Sequence, residues 1–179
     1  MKEILKLTMT LAAVALFCSG ILAYVYTVTK EPIAKTAEAG RIAAVSSVVP
    51  EGCTTIDCKK HGDFEYYLAV CDGKPVAYAF EGVSHNGYGG DVRLMVGIGA
   101  DGKLVNFEVL QSAETPGLGS KMADDSFRAP LRGRSVDGKW KVKKDGGDID
   151  AITAATISSR ACAECIRDAI GKFRKVCPR

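Results

Sequence analysis

The stretch VRLMVGIGADGKLVNFEVL, residues 92–110, decides the fold. Two runs rich in β-branched and apolar residues, 92–99 and 104–110, flank Asp101-Gly102. An Asp-Gly step between such runs marks a hairpin, because its tight turn needs residues that tolerate positive φ. The same device stands just upstream, where residues 65–71 and 76–82 flank Asp72-Gly73-Lys74. Two hairpins in series predict an antiparallel sheet. Farther on the period changes from two to that of a helix. Over residues 154–176, Ile157, Ala161, Cys165, Ala169, Phe173 and Val176 fall on one face. Strands followed by one long amphipathic helix predict an α+β domain with the helix packed on one face of the sheet. A short helix over residues 121–127 and one more strand over 140–143 complete the expectation.

Upstream of the sheet, residues 7–29 carry no charge, with Lys6 and Lys30 at the two ends. Roughly 20 apolar residues suffice to span hydrocarbon as a helix, and Tyr24 and Tyr26 sit where aromatic rings settle at a lipid interface. A cleaved signal peptide has a shorter apolar region of about 7–15 residues. A retained single-pass membrane helix is therefore expected. A second helix is expected from Glu31, with Pro32 in its first turn and Ile33, Ala37, Val45 and Val48 on its apolar stripe. Pro50-Glu51-Gly52 is expected to end it, with a loop running to about His61.

The 179 residues hold one ordinary domain plus an accessory segment. A net charge of +3 without interleaved basic and aromatic clusters argues against nucleic acid as a partner. Lys139, Lys141, Lys143 and Lys144 alternate with Trp140 and Val142 as the solvent face of a strand would. Of the seven cysteines, six lie beyond the apolar run. An even number fits disulfides in an oxidising compartment, and equally fits unpaired thiols. Cys162-Ala-Glu-Cys165 has no following His for haem attachment and no second C-x-x-C for a zinc site, although Cys53 and Cys58 are spaced to contribute. Small buried helix residues are the expectation for that pair.

Three stretches are richer in special residues than a plain surface needs. His85-Asn86-Gly87-Tyr88-Gly89-Gly90 precedes the third predicted strand, and its glycines let backbone approach a ligand closely. Glu114-Thr115-Pro116-Gly117-Leu118-Gly119 follows the fourth, with Pro-Gly marking a type II turn. Asp150-Ala151-Ile152-Thr153-Ala154-Ala155-Thr156 opens the last helix. There Thr153 reads as an N-cap and Thr156 as the third helical residue, within a field of free N–H groups that suits a phosphate.

In this order and spacing the three stretches resemble the FMN-binding domain family. That domain is shared by the G subunit of the Rnf complex, a ferredoxin:NAD oxidoreductase, and the C subunit of the Na+-translocating NADH:quinone oxidoreductase. In that family a (Ser/Thr)-Gly-Ala-Thr segment carries FMN on its last Thr through a phosphoester, installed from FAD by a flavin transferase. The resemblance makes Thr156 the acceptor. It places Thr153, Ala155 and Ser158 around the phosphate, and Glu114, Thr115, Gly117, Leu118 and Gly119 along the flavin, with Tyr88 and Gly89 nearby. The usual Gly is Ala154 here, and as a first helical residue Ala is favourable. The compact length favours the Rnf type.

The resemblance further divides the chain into an anchor (1–30), a connecting helix and loop (31–62) and an FMN-binding domain (63–179) on the extracytoplasmic side of the cell membrane. The implied role is electron transfer within an ion-translocating complex, with other membrane and peripheral subunits, the flavin transferase and membrane lipid as partners. Gly97-Ile98-Gly99-Ala100-Asp101-Gly102 spells G-x-G-x-x-G, but between two strands rather than at a strand-to-helix turn, so it is no nicotinamide fingerprint. With no iron–sulfur cysteine set either, on this reading electrons come from and go to partner subunits. A membrane-anchored flavin sensor and a structural subunit without flavin are the competing readings.

Overall fold

The structure is a computed structural model that describes residues 2–50, 52, 55–71 and 73–177. Asp72 of the first predicted turn, Glu51 of the predicted helix stop and Cys53 lie outside the described residues.

The apolar N-terminal run and the stretch after it form one continuous helix, α1 (Lys2–Val48), rather than two. Pro32 lies inside it. The ring removes one backbone N–H donor, and helical hydrogen bonding on both sides carries the element through. The chain divides into two compact units, Met1–Gly40 and Arg41–Arg179. In the first, Leu7, Leu11, Leu16, Phe17 and Leu22 are all exposed. By length and composition α1 can cross a membrane.

In the second unit five strands form an antiparallel sheet in sequential order. They are β1 (Thr55–His61), β2 (Phe64–Cys71), β3 (Lys74–Ser84), β4 (Val92–Gly99) and β5 (Leu104–Gln111). Four of these are the predicted strands. The fifth, β1, stands where a loop was expected. Its seven residues are all exposed and pair with β2 through the backbone, so it has no alternation of apolar and polar residues to betray it. Residues 140–143 do not join the sheet. They make one isolated bridge, Val142 with Ile149, inside a self-bonded loop. The predicted short helix is two pieces, a 3-10 turn at Gly119–Ala123 and a four-residue helix, α2 (Asp125–Arg128).

The long helix α3 (Thr156–Val176) packs on one face of the sheet. Ala161, Cys165, Ile166, Ala169 and Phe173 meet Phe80, Leu94, Val96, Ile98 and Phe107 there. Each large side chain so buried contributes roughly 1.5–3 kcal/mol. Cys162 and Cys165 are both fully buried, as expected of small core residues. Ile157, expected on the buried stripe, is 45% exposed, because the helix has only just begun at that point. The last turns of α1 cover the opposite face, where Ala44, Val45 and Val48 meet Ala69, Ala77, Ala79 and Met95. Arg41 and Arg93 both pair with Glu81 there, at 3.0 and 3.1 Å. Glycines let both helices come close. A Cβ on Gly82 would lie 2.0 Å from the Cys165 carbonyl oxygen, and one on Gly97 1.8 Å from that of Val48.

Candidate functional site

Glu114, three residues past β5, is only 7% exposed. A carboxylate so placed needs hydrogen-bond donors, and it finds one in the His85–Gly90 stretch and one on α3, two residues past the Asp150–Thr156 stretch. Its Oε2 accepts from the Ser158 hydroxyl at 2.5 Å, and its Oε1 from the Gly89 amide at 3.3 Å. Gly119 closes over the pair: a Cβ there would lie 2.4 Å from Ser158 Oγ and 2.6 Å from Glu114 Oε2. On Gly89 a Cβ would lie 1.9 Å from the Ala113 carbonyl oxygen. The structure thus joins the first two stretches and the first turn of α3 around one carboxylate.

Between Glu114 and Gly119 the chain makes the predicted type II turn. The Leu118 amide donates to the Thr115 carbonyl at 3.2 Å, and Gly117 takes φ 75°. Thr115 stays exposed, and so does Leu118 at 41%. Tyr88 is 70% exposed beside Gly89. Tyr88, Leu118 and Ile157 are each the immediate chain neighbour of a residue in the Glu114 cluster. They are large apolar groups left open at its rim.

The loop that carries Tyr88 and Gly89 is tied to α3 at its base. Ser84 Oγ and Asn86 Nδ2 donate to Glu164 at 2.7 and 2.8 Å. Burial by itself would raise the Glu164 carboxyl, but these two hydrogen bonds and the nearby Arg167 charge outweigh it. The group is held below the usual carboxylate range.

The segment before α3 departs from its sequence reading. The Ala155 amide donates to the Ile152 carbonyl at 3.0 Å, and Ala154 takes φ 60°, the one positive φ at a non-glycine among the described residues. With positive φ at its third position, the 152–155 turn has the type II signature. Ala154 is therefore not a first helical residue but occupies the place where a type II turn calls for glycine, at roughly 1–2 kcal/mol of strain. Thr153 is in the turn and does not cap the helix. The N-cap position is Ala155, without a side-chain cap, and Thr156 is the first helical residue. What holds the turn is Ser159, which sequence reasoning passed over. Its hydroxyl accepts from the Ile152 amide and donates to the Ala155 carbonyl, both at 2.9 Å.

Thr156 is half-buried at this uncapped helix start. A second unforeseen residue stands beside it. Lys144 Nζ is 3.3 Å from Thr156 Oγ1. The lysines read as a strand face belong instead to a loop, with a 3-10 turn at Lys143–Asp145. Asp145 grips Arg160 with two hydrogen bonds of 2.6 and 2.7 Å, which hold the Asp145 carboxyl below its ordinary range. A hydroxyl with an ammonium beside it, in front of free helical amides, is a donor set that suits a phosphate. The residues present therefore fit a phosphate-linked group at Thr156. Ser158 is turned inward to Glu114, while Thr153 and Ala154 remain exposed.

Comparison with known proteins gives the family and the fold. The FMN-binding domain family model matches residues 87–171, and the model of the RnfG N-terminal region matches residues 1–48. The G subunit of the ion-translocating oxidoreductase complex from Shewanella baltica is 32% identical, over 91% of this chain and 86% of the relative. Its counterpart from Vibrio cholerae is 33% identical, over 89% and 85%. Among solved structures, the C subunit of the Na+-translocating NADH-quinone reductase from Parabacteroides distasonis superposes with a TM-score of 0.53 at 18% identity, over 65% of this chain and 64% of that one. NqrC from Shewanella oneidensis gives 0.52 at 16%, over 73% of each. At such identities the two structures share the fold.

Proposed function

Because the chain belongs to the G-subunit family of ion-translocating oxidoreductase complexes, we propose that it is the single-pass, electron-relaying member of such a complex and carries FMN joined by a phosphoester to Thr156. The observation that carries the reading is the placement of the Thr156 hydroxyl. It sits at the uncapped start of α3, 3.3 Å from the Lys144 ammonium, while Ser158, two residues on, links the same helix turn to Glu114 and Gly89. FMN bound there would supply the electron-carrying chemistry of a flavin.

The chain's own residues supply placement. The first-turn amides of α3 meet the phosphate. Ser159 and the 152–155 turn fix the direction in which Thr156 points. Thr153 and Ala155 border the phosphate, and Glu114 with Gly119 holds the floor on which Thr115, Gly117 and Leu118 stand. Tyr88 and Leu118 offer exposed apolar faces to a planar ring. Residues 63–179 form the flavin-carrying part, 1–30 the anchor and 31–62 the connection. A covalent link keeps the group on a protein that works outside the cytoplasm. Cys71 is disulfide-bonded, which supports placing this domain on the extracytoplasmic side. Electrons enter and leave through partner subunits, in the ferredoxin:NAD type of complex. A flavin transferase matures the protein, and membrane lipid surrounds the exposed apolar side chains of α1.

The competing reading, a structural subunit without flavin, takes its support from the strained Ala154. Intact mass separates the two. Protein exported together with a flavin transferase should gain the mass of FMN less water, and Thr156→Val should gain nothing. An unmodified wild-type mass, with the transferase active on a control substrate, would overturn the flavin reading.

A further inference from the structure

Resting on the reading of Thr156 as the phosphate-bearing residue, we propose that Lys144 is the cation that holds this phosphate, presented by a loop built to aim it. The loop over residues 139–150 is anchored by the buried side chains of Trp140, Val142 and Ile149. It is closed by backbone bonds from the Lys143 amide to the Ile149 carbonyl, 2.8 Å, and from the Ile149 amide to the Lys141 carbonyl, 3.0 Å. Gly147 lies so close to Lys141 that a Cβ would stand 2.1 Å from its carbonyl oxygen. The backbone of this loop is thus fixed from within. Three consecutive side chains then reach the acceptor segment: Lys143 meets Asp150 at 2.6 Å, Lys144 meets Thr156 at 3.3 Å, and Asp145 meets Arg160 at 2.6 Å.

The three contacts differ in kind. Lys143 and Arg160 each pair with a carboxylate, so their charges are already matched. Lys144 reaches a neutral hydroxyl, which gives an ammonium little for the ordering of a long side chain. An anionic phosphate oxygen at the same place would turn that contact into a charge-assisted hydrogen bond, roughly twice as strong as a neutral one. Arg160, one helical turn after Thr156, is a second cation on that side, with Lys141 also near Asp145. The bidentate pair of Arg160 with Asp145 leaves Lys144 as the charge aimed at the acceptor.

The test uses the unmodified full chain in detergent micelles, made without a transferase, with inorganic phosphate as the probe and the Thr156 amide followed by NMR. Wild type should show a saturable shift. Lys144→Gln should bind about tenfold more weakly, the loss of one charged hydrogen bond, and Lys144→Arg should stay within about threefold of wild type. Lys144 is exposed, so its replacement leaves the fold intact. Equal affinity in wild type and Lys144→Gln, or no saturable shift in wild type, would overturn the proposal. Because no flavin enters the titration, this result is independent of whether the matured protein gains mass at Thr156.

Discussion

The Ser158 hydroxyl donates to Glu114 Oε2 at 2.5 Å, joining the start of α3 to the segment that leaves β5 across 44 positions of sequence. The contact is buried, and Gly89 adds its amide to the same carboxylate. Removing Glu114 therefore strands two donors. Glu114→Ala should lower unfolding free energy by about 1–3 kcal/mol in urea titrations, with Glu114→Gln costing less because one acceptor oxygen remains. Gly119→Ala should match or exceed Glu114→Ala, since its methyl would press on both Ser158 Oγ and Glu114 Oε2. Unchanged midpoints in all three variants would contradict the linking role of Glu114.

Ala154 makes a prediction of opposite sign. It holds φ 60°, where an L side chain is strained. Ala154→Gly should raise stability by about 1 kcal/mol, the strain relieved less the entropy that glycine adds to the unfolded chain. Ala154→Val should lower it, since a β-branched residue suits that conformation least. Thermal unfolding of the three proteins side by side gives the order, and a loss of stability in the glycine variant would contradict the assigned turn.

The cysteines should separate by reactivity. Burial pushes the Cys165 thiol up to about 12 and Cys162 well above its ordinary value, and both are enclosed by the core. Cys58 on β1 is free and exposed. A maleimide at neutral pH should label Cys58 in the native protein and reach Cys162 and Cys165 only after denaturation. Peptide mapping after a short pulse reads this directly. Native labelling of either buried thiol would mean that α3 opens away from the sheet.

Acid should release the loop over residues 84–91 from α3. The Glu164 carboxyl is held below its ordinary value of 4.5, so its contribution to stability is complete above that pH and is lost as pH falls through the folded value. Amide exchange across this loop should accelerate below about pH 4.5 relative to the strands, and Glu164→Gln should flatten that dependence. The same acceleration in Glu164→Gln would assign the effect elsewhere.

Much of this architecture was legible in the chain because its signals are local. Alternating apolar runs around Asp101-Gly102 announce a hairpin, and the period from Ala161 to Phe173 announces a buried helix face. β1 was hidden because pairing by backbone alone leaves no mark on side-chain pattern. The continuity of α1 through Pro32 was hidden because proline in a first turn and proline inside a long helix read alike. At the site, the Pro116-Gly117 turn was visible from its residues. Lys144 and Ser159 were not, since one lies in a lysine-rich run resembling a strand face and the other among ordinary helix residues. Their roles depend on which segments fold against each other, and the same is true of the positive φ that Ala154 adopts.

The most direct measurement of the central claim is tandem mass spectrometry of the tryptic peptide over residues 145–160, from protein matured with a flavin transferase. That peptide holds Thr153, Thr156, Ser158 and Ser159 together. The account predicts an added FMN less water whose fragments place it on Thr156. The flavin on Thr153, or an unmodified peptide beside a transferase proven active, would contradict it.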